Sequence, residues 1–120
     1  MIVLIVEPEP ALGQLWKRHM IRQGAEVHLV ENRDCAFALL REHPVDMIVL
    51  DLDLQDGSAL AISDYASYRR PEARVIFVTN TTFFSDGSIF MHSPNACAFL
   101  QSSTPPEDIA AMVAHYSRAG

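Results

Sequence analysis

The chain alternates between short apolar runs and longer segments whose apolar residues recur at helical spacing. The runs are residues 1–6 (MIVLIV), 27–30 (VHLV), 47–50 (MIVL), 75–78 (VIFV) and 96–100 (ACAFL). Each is mostly continuous rather than alternating, the pattern of a strand covered on both faces in a parallel sheet. The spacing predicts a first helix over 10–23. Pro10 takes a first-turn position, Leu12, Leu15, Trp16 and His19 share one side, and Gly24 ends it. Asn32 caps a second helix that runs to about His43 and meets Pro44. A third covers 58–69 and stops before Pro71. Thr104-Pro105-Pro106-Glu107 reads as a capping box with proline at the first helical position, opening a last helix to about Ser117.

This alternation predicts one α/β domain over 1–120, a doubly wound parallel sheet with helices on both faces. Sites in such folds form beyond the carboxyl ends of the strands, where the strand order reverses. Those positions hold Glu7, Pro8 and Glu9 after the first run and Asp51, within VLDLDLQDGS, after the third. Thr79, within VIFVTN, follows the fourth run, and Gln101, Ser102 and Ser103 follow the fifth.

Parallel strands would set Glu7 and Asp51 facing each other. Two close carboxylates repel unless a cation or a proton lies between them. Magnesium suits such a pair, taking one or two carboxylates plus waters. An aspartate beside magnesium can act as a nucleophile toward a phosphoryl donor, and the Thr79 hydroxyl would then hydrogen-bond the transferred group. Thr79 is equally consistent with an ordinary β-branched strand residue. Asp53 shares the face of Asp51 if the strand reaches that far, and there it would add a further carboxylate. Glu9 begins a helix, where the dipole alone favours an acid.

Composition narrows the partners. Net charge is −6 and the pI about 5.2, with no basic patch, which argues against nucleic acid. No apolar run approaches the roughly 20 residues that cross a membrane. The N-terminal run lacks the basic flank and cleavage site of a signal peptide. Cys35 and Cys97 lie far apart without CxxC spacing and read as reduced, buried thiols of a cytoplasmic protein. The five histidines (19, 28, 43, 92 and 115) show no metal-binding spacing, and His19 and His115 read as partly exposed helix residues.

LIVEPEP, VLDLDLQDGS and VIFVTN, in that order, resemble the receiver domain of bacterial response regulators, and the resemblance covers the whole chain. It implies a flavodoxin-like sheet of order 2-1-3-4-5 with five helices. It puts the family's acidic pair on Glu7 and Pro8, the phosphoacceptor on Asp51 and the following loop's DG on Asp56-Gly57. The hydroxyl falls on Thr79 and the aromatic switch on Phe99. The lysine falls on Ser102, and the proline that follows it on Ser103. Two positions depart from the pattern: Pro8 has no carboxylate and Ser102 no charge. The implied metal ligands are Glu7, Asp51 and Asp53 (backbone or side chain), with Thr79, Phe99 and Ser102 at the phosphoryl and switch positions. Mg2+ is expected to bind weakly or not at all. Because phosphoryl transfer depends on charge stabilisation, phosphorylation is expected to be impaired or dispensable.

The resulting expectation is a cytoplasmic two-component signalling protein, not an enzyme. Its partner would be a histidine kinase or another signalling protein. The chain ends soon after the last helix, so a stand-alone receiver is expected. Between Val75 and Thr104 the only charged residue is Asp86, among several phenylalanines. That suggests docking through residues 80–100 and the last helix; equally, the aromatic rings fold inward. Two other functions compete. Asp51-Leu52-Asp53 also resembles the DxD motif of haloacid-dehalogenase-type phosphatases, with Thr79 as second motif. Nothing after Thr79 supplies their lysine or acidic pair, and the motif stands on the third strand rather than the first. A phosphorylation-independent structural adaptor is the other reading, in which Asp51→Ala changes neither partner binding nor oligomeric state.

Overall fold

The computed structural model describes residues 1–54, 58–80 and 95–119, and only the backbone of 118 and 119. The elements are β1 (Ile2–Val6), α1 (Pro10–Arg22), β2 (Glu26–Val30), α2 (Arg33–Glu42) and β3 (Met47–Asp51). They continue with α3 (Ala59–Arg69), β4 (Arg74–Thr79), β5 (Ala96–Gln101) and α4 (Pro106–Ala119). All five strands are parallel, in the order β2-β1-β3-β4-β5. The sheet order and the five predicted runs agree with this to within a residue or so at each end. Four helices lie among the described residues; the position of a fifth, between β4 and β5, falls outside them.

Two apolar layers cover the sheet. Leu4, Val6, Ile48, Leu50 and Phe77 point toward α2 and α3 and meet Ala36, Leu40, Ile62 and Ala66. Val3, Ile5, Val49, Ile76 and Val78 point the other way, toward Trp16 and Met20 of α1 and Ile109 and Val113 of α4. Alternate residues of β1, β3 and β4 thus bury opposite faces, which is why these strands read as unbroken apolar runs. β2 departs from that reading: at the sheet edge, Glu26 is exposed and the other four residues are only half-buried.

The buried stripe of α1 is Gly13, Trp16 and Met20, whereas Leu12, Leu15 and His19 are half-buried. The predicted stripe was therefore rotated. The cause is close approach at Gly13, where a Cβ would stand 2.7 Å from Leu29 Cδ1. With glycine there, α1 settles on the sheet through that side and carries Trp16 and Met20 beneath it. Asn32 caps α2 as expected, its side chain accepting from the Cys35 backbone N–H at 3.0 Å. α4 starts at Pro106, which leaves Pro105 rather than Thr104 as the preceding residue. The Pro105 carbonyl accepts from Asp108 N and Ile109 N at 2.9 and 3.2 Å. Both cysteines are free, but Cys35 is exposed and Cys97 half-buried. The expectation of two buried thiols fails at Cys35 because it lies in the solvent-facing first turn of α2. Burial pushes the Cys97 thiol up to about 11. No helix among the described residues is long and apolar enough to cross a membrane.

Gly24 joins α1 to β2 with φ +90° and open space around the missing Cβ. Gly24→Ala is therefore expected to cost about 1 kcal/mol through backbone strain alone. Urea denaturation checks this, and an unchanged midpoint would mean that the turn relaxes to another conformation.

Candidate functional site

The register carries the site. Val6 of β1 pairs with Leu50 of β3, so the next residues, Glu7 and Asp51, stand side by side past the buried sheet. Asp51 pairs with Val78 and Thr79 with Gln101, which brings the ends of β3, β4 and β5 to the same edge. The ladder continues beyond the strands, with Leu52 N donating to Val78 O at 2.8 Å and Ser102 N to Thr79 O at 2.7 Å. Glu7, Asp51 and Thr79 retain only 1%, 8% and 0% exposure, so this polar cluster is enclosed rather than solvated.

Glu7 Oε2 accepts from Glu9 N at 3.0 Å. Oε1 is buried and, as an acceptor only, meets no hydrogen-bond donor among the described residues. Burial, then the hydrogen bond to Asp51, push the Glu7 carboxyl up to about 8, and repulsion from Asp51 and Glu9 adds to this. Both atoms facing each other are acceptors unless one carboxyl is protonated. With no cation between the two carboxyls, a proton on Glu7 donated toward Asp51 accounts for both the orphaned oxygen and the raised pKa.

Asp51 accepts from Asp53 N at 2.7 Å, which folds the chain back at the end of β3. That turn aims the Asp53 side chain at β4. Its carboxylate accepts from Thr79 Oγ1 at 3.1–3.2 Å and from Asn80 N at 2.8 Å. The Thr79 hydroxyl thus joins the polar cluster at the strand ends, donating to Asp53. Asp53, expected as a metal ligand through its backbone or its side chain, has that side chain on hydrogen-bond donors at the end of β4. The part played by the Asn80 backbone was not legible, since any residue would supply that N–H.

Ser102 is half-buried beside Thr79 and brings no charge, and the only lysine of the chain, Lys17, lies on α1. Pro8 adds no donor or carboxylate next to Glu7. Phe99 packs on the α2 and α3 side of the sheet, its ring centroid 6.3 Å from that of Phe77. Most of the docking stretch named above, residues 81–94, lies outside the described residues. As a cation site, Glu7 and Asp51 offer two hard carboxylate donors, one with an unsatisfied oxygen, and this set fits magnesium. Those two residues would hold it, and its chemistry there would be neutralisation of anionic charge at Asp51.

A family model described as the response regulator receiver domain matches residues 3–114. The photosynthetic apparatus regulatory protein RegA of Rhodobacter capsulatus is 29% identical over 77 residues, 64% of this chain and 42% of RegA. The response regulator protein PilR of Pseudomonas aeruginosa is 32% identical over 76 residues, 63% of this chain and 17% of PilR. The chain therefore matches less than half the length of either. The crystal structure of a CheY-like receiver domain protein from Methanospirillum hungatei superposes with a TM-score of 0.87. That match is 20% identical and covers 98% of this chain and 94% of that one.

Proposed function

This chain belongs to the response regulator receiver domain family, and from that premise we propose that it is a receiver whose phosphoryl site is partly satisfied by its own Asp53. Asp51 is the phosphoacceptor in this reading, and signalling proceeds by contact with a histidine kinase or another signalling protein. The chain catalyses no turnover of its own beyond accepting the group. Magnesium, where it binds, is held by Glu7 and Asp51.

One observation carries the reading. Thr79 Oγ1 and Asn80 N, donors at the end of the strand next to Asp51, already hydrogen-bond the Asp53 carboxylate at 2.8–3.2 Å. A phosphoryl group on Asp51 would have to displace that carboxylate or share its donors. Two further features act in the same direction. Ser102 supplies no positive charge for phosphoryl oxygens, and Pro8 leaves Glu7 as the one acid after β1 next to the acceptor. Charge-assisted hydrogen bonds are worth about 1.5–3 kcal/mol each, so the competition is energetically substantial. Phosphorylation is consequently weak, and the unphosphorylated pocket already presents an anion to Thr79.

The test is an amide-resolved NMR titration with magnesium and then beryllofluoride, a phosphoryl mimic for aspartate. Wild type, Asp51→Ala, Asp53→Ala and Asp53→Asn are compared. Wild type is expected to bind poorly and Asp51→Ala not at all. Freed of the internal carboxylate, Asp53→Ala should bind about tenfold more tightly, corresponding to about 1.4 kcal/mol. Equal or weaker binding by both Asp53 variants, with dispersed spectra proving them folded, would overturn the reading.

A further inference from the structure

The geometry points to a second cation site at the opposite edge of the sheet, in which Glu26, His28 and His43 bind a divalent transition metal of the zinc class. It is independent of the Asp51 pocket. Glu26 opens β2 at its amino end and pairs with Ile2, and His28, midway along β2, pairs with Leu4. The Asp51 pocket is at the carboxyl ends. Glu26 and His28 are two residues apart on an edge strand and therefore share a face. It is the face covered by α2, since Leu4 points that way.

His43 comes to the same place from the other side. It is the residue that ends α2, extended at φ −125° and ψ 143°, with its N–H donating to Leu39 O at 3.0 Å. The exit of the helix thereby lays the His43 ring over His28, with centroids 4.7 Å apart and the planes tilted by 34°. His28 Nε2 lies 2.8 Å from Glu26 Oε2. One ligand atom from each of the three residues lies within 4.8 Å of the other two.

A zinc ion bound at about 2.0–2.1 Å by tetrahedral donors needs those donors about 3.4 Å apart. The observed cluster brackets that separation, and its half-buried to exposed side chains can reach it by rotation about χ angles without moving the backbone. The donor types choose the metal. Two imidazoles and one carboxylate suit zinc and its neighbours, whereas magnesium and calcium take oxygen donors. Three protein ligands leave a fourth position for water, an open arrangement. The bland alternative is a surface histidine pair with one hydrogen bond to glutamate, and it makes a different prediction. Sequence spacing concealed the cluster because His28 and His43 are separated by the whole of α2.

Binding would tie the carboxyl end of α2 to the edge strand and stabilise the folded chain by mass action. The experiment uses tag-free protein, with zinc titrated by calorimetry in the presence of excess magnesium. Cobalt(II) serves as a spectroscopic probe of coordination. One zinc per chain is expected, undisturbed by magnesium, with visible cobalt bands of low coordination number. His28→Ala and His43→Ala should each weaken zinc by more than about tenfold, the loss that even indirect disturbance of a metal site causes. Glu26→Gln should weaken it as well, while His19→Ala and Asp51→Ala should not. Saturating zinc should raise the Tm of wild type and leave the His28→Ala/His43→Ala double variant unmoved. Failure of wild type to bind micromolar zinc would overturn the proposal. So would equal affinity in the double variant, which would put the ion elsewhere.

Discussion

Between pH 4.5 and pH 8 in metal-free buffer, Glu7 is expected to remove on the order of 4 kcal/mol of folding stability. In the unfolded chain this carboxyl ionises near 4.5; in the folded protein burial and Asp51 hold its proton until about 8. Below 4.5 the group is protonated in both states and costs nothing. As pH rises, the unfolded chain releases the proton while the folded chain keeps it, so the equilibrium moves toward unfolding. Above 8 the folded group is ionised as well, and the full penalty of a buried carboxylate beside Asp51 is present. Other carboxyls add slopes of their own, and Glu7→Gln isolates this one. Glutamine keeps the shape, offers an amide donor toward Asp51 and does not titrate. Urea denaturation at a series of pH values should give curves that converge at the acid end and separate steadily toward pH 8, the variant being the more stable. Parallel curves would mean that Glu7 is already ionised in the folded protein. The same proton bears on function, because it occupies the place between Glu7 and Asp51 that a cation would otherwise take.

Trp16 should be the most costly single truncation on the α1 side of the sheet. It is wholly buried and, by volume, heads the fully buried side chains. Trp16→Ala is expected to cost about 3–5 kcal/mol, the usual range for emptying a large aromatic site. Its indole N–H nevertheless has no hydrogen-bond partner among the described residues. A buried unmade donor costs about 1–3 kcal/mol, so removing it with most of the ring retained offsets the volume lost. Trp16→Phe should therefore fall within about 1.5 kcal/mol of wild type, the relieved donor set against a modest loss of volume. Trp16 is the only tryptophan, so far-UV circular dichroism rather than intrinsic fluorescence must follow unfolding. A Phe variant as damaged as the Ala variant would show that the indole makes a specific contact.

The amino-acid sequence by itself determined the strands, most helix limits and the line of residues at the strand ends. These depend on local rules. Continuous apolar runs such as MIVL mark doubly covered strands, Asn32 satisfies the first turn of α2 wherever the chain goes, and prolines open α1 and α4. An acid directly after such a run, Glu7 or Asp51, has nowhere to go but the edge of the sheet. The tertiary structure alone decided what those groups do there. Whether Glu7 keeps a proton depends on burial and on Asp51, supplied by a different strand. Asp53 turned to Thr79 and Asn80 because β3 and β4 end together, a distance that spacing along the chain does not encode. The approach of Gly13 to Leu29 set the rotation of α1, and the exit of α2 set His43 over His28. Periodicity reports which side of an element is apolar. Protonation, donor sharing and ligand clustering are properties of neighbours far away in sequence, and they exist only once the sheet has assembled them.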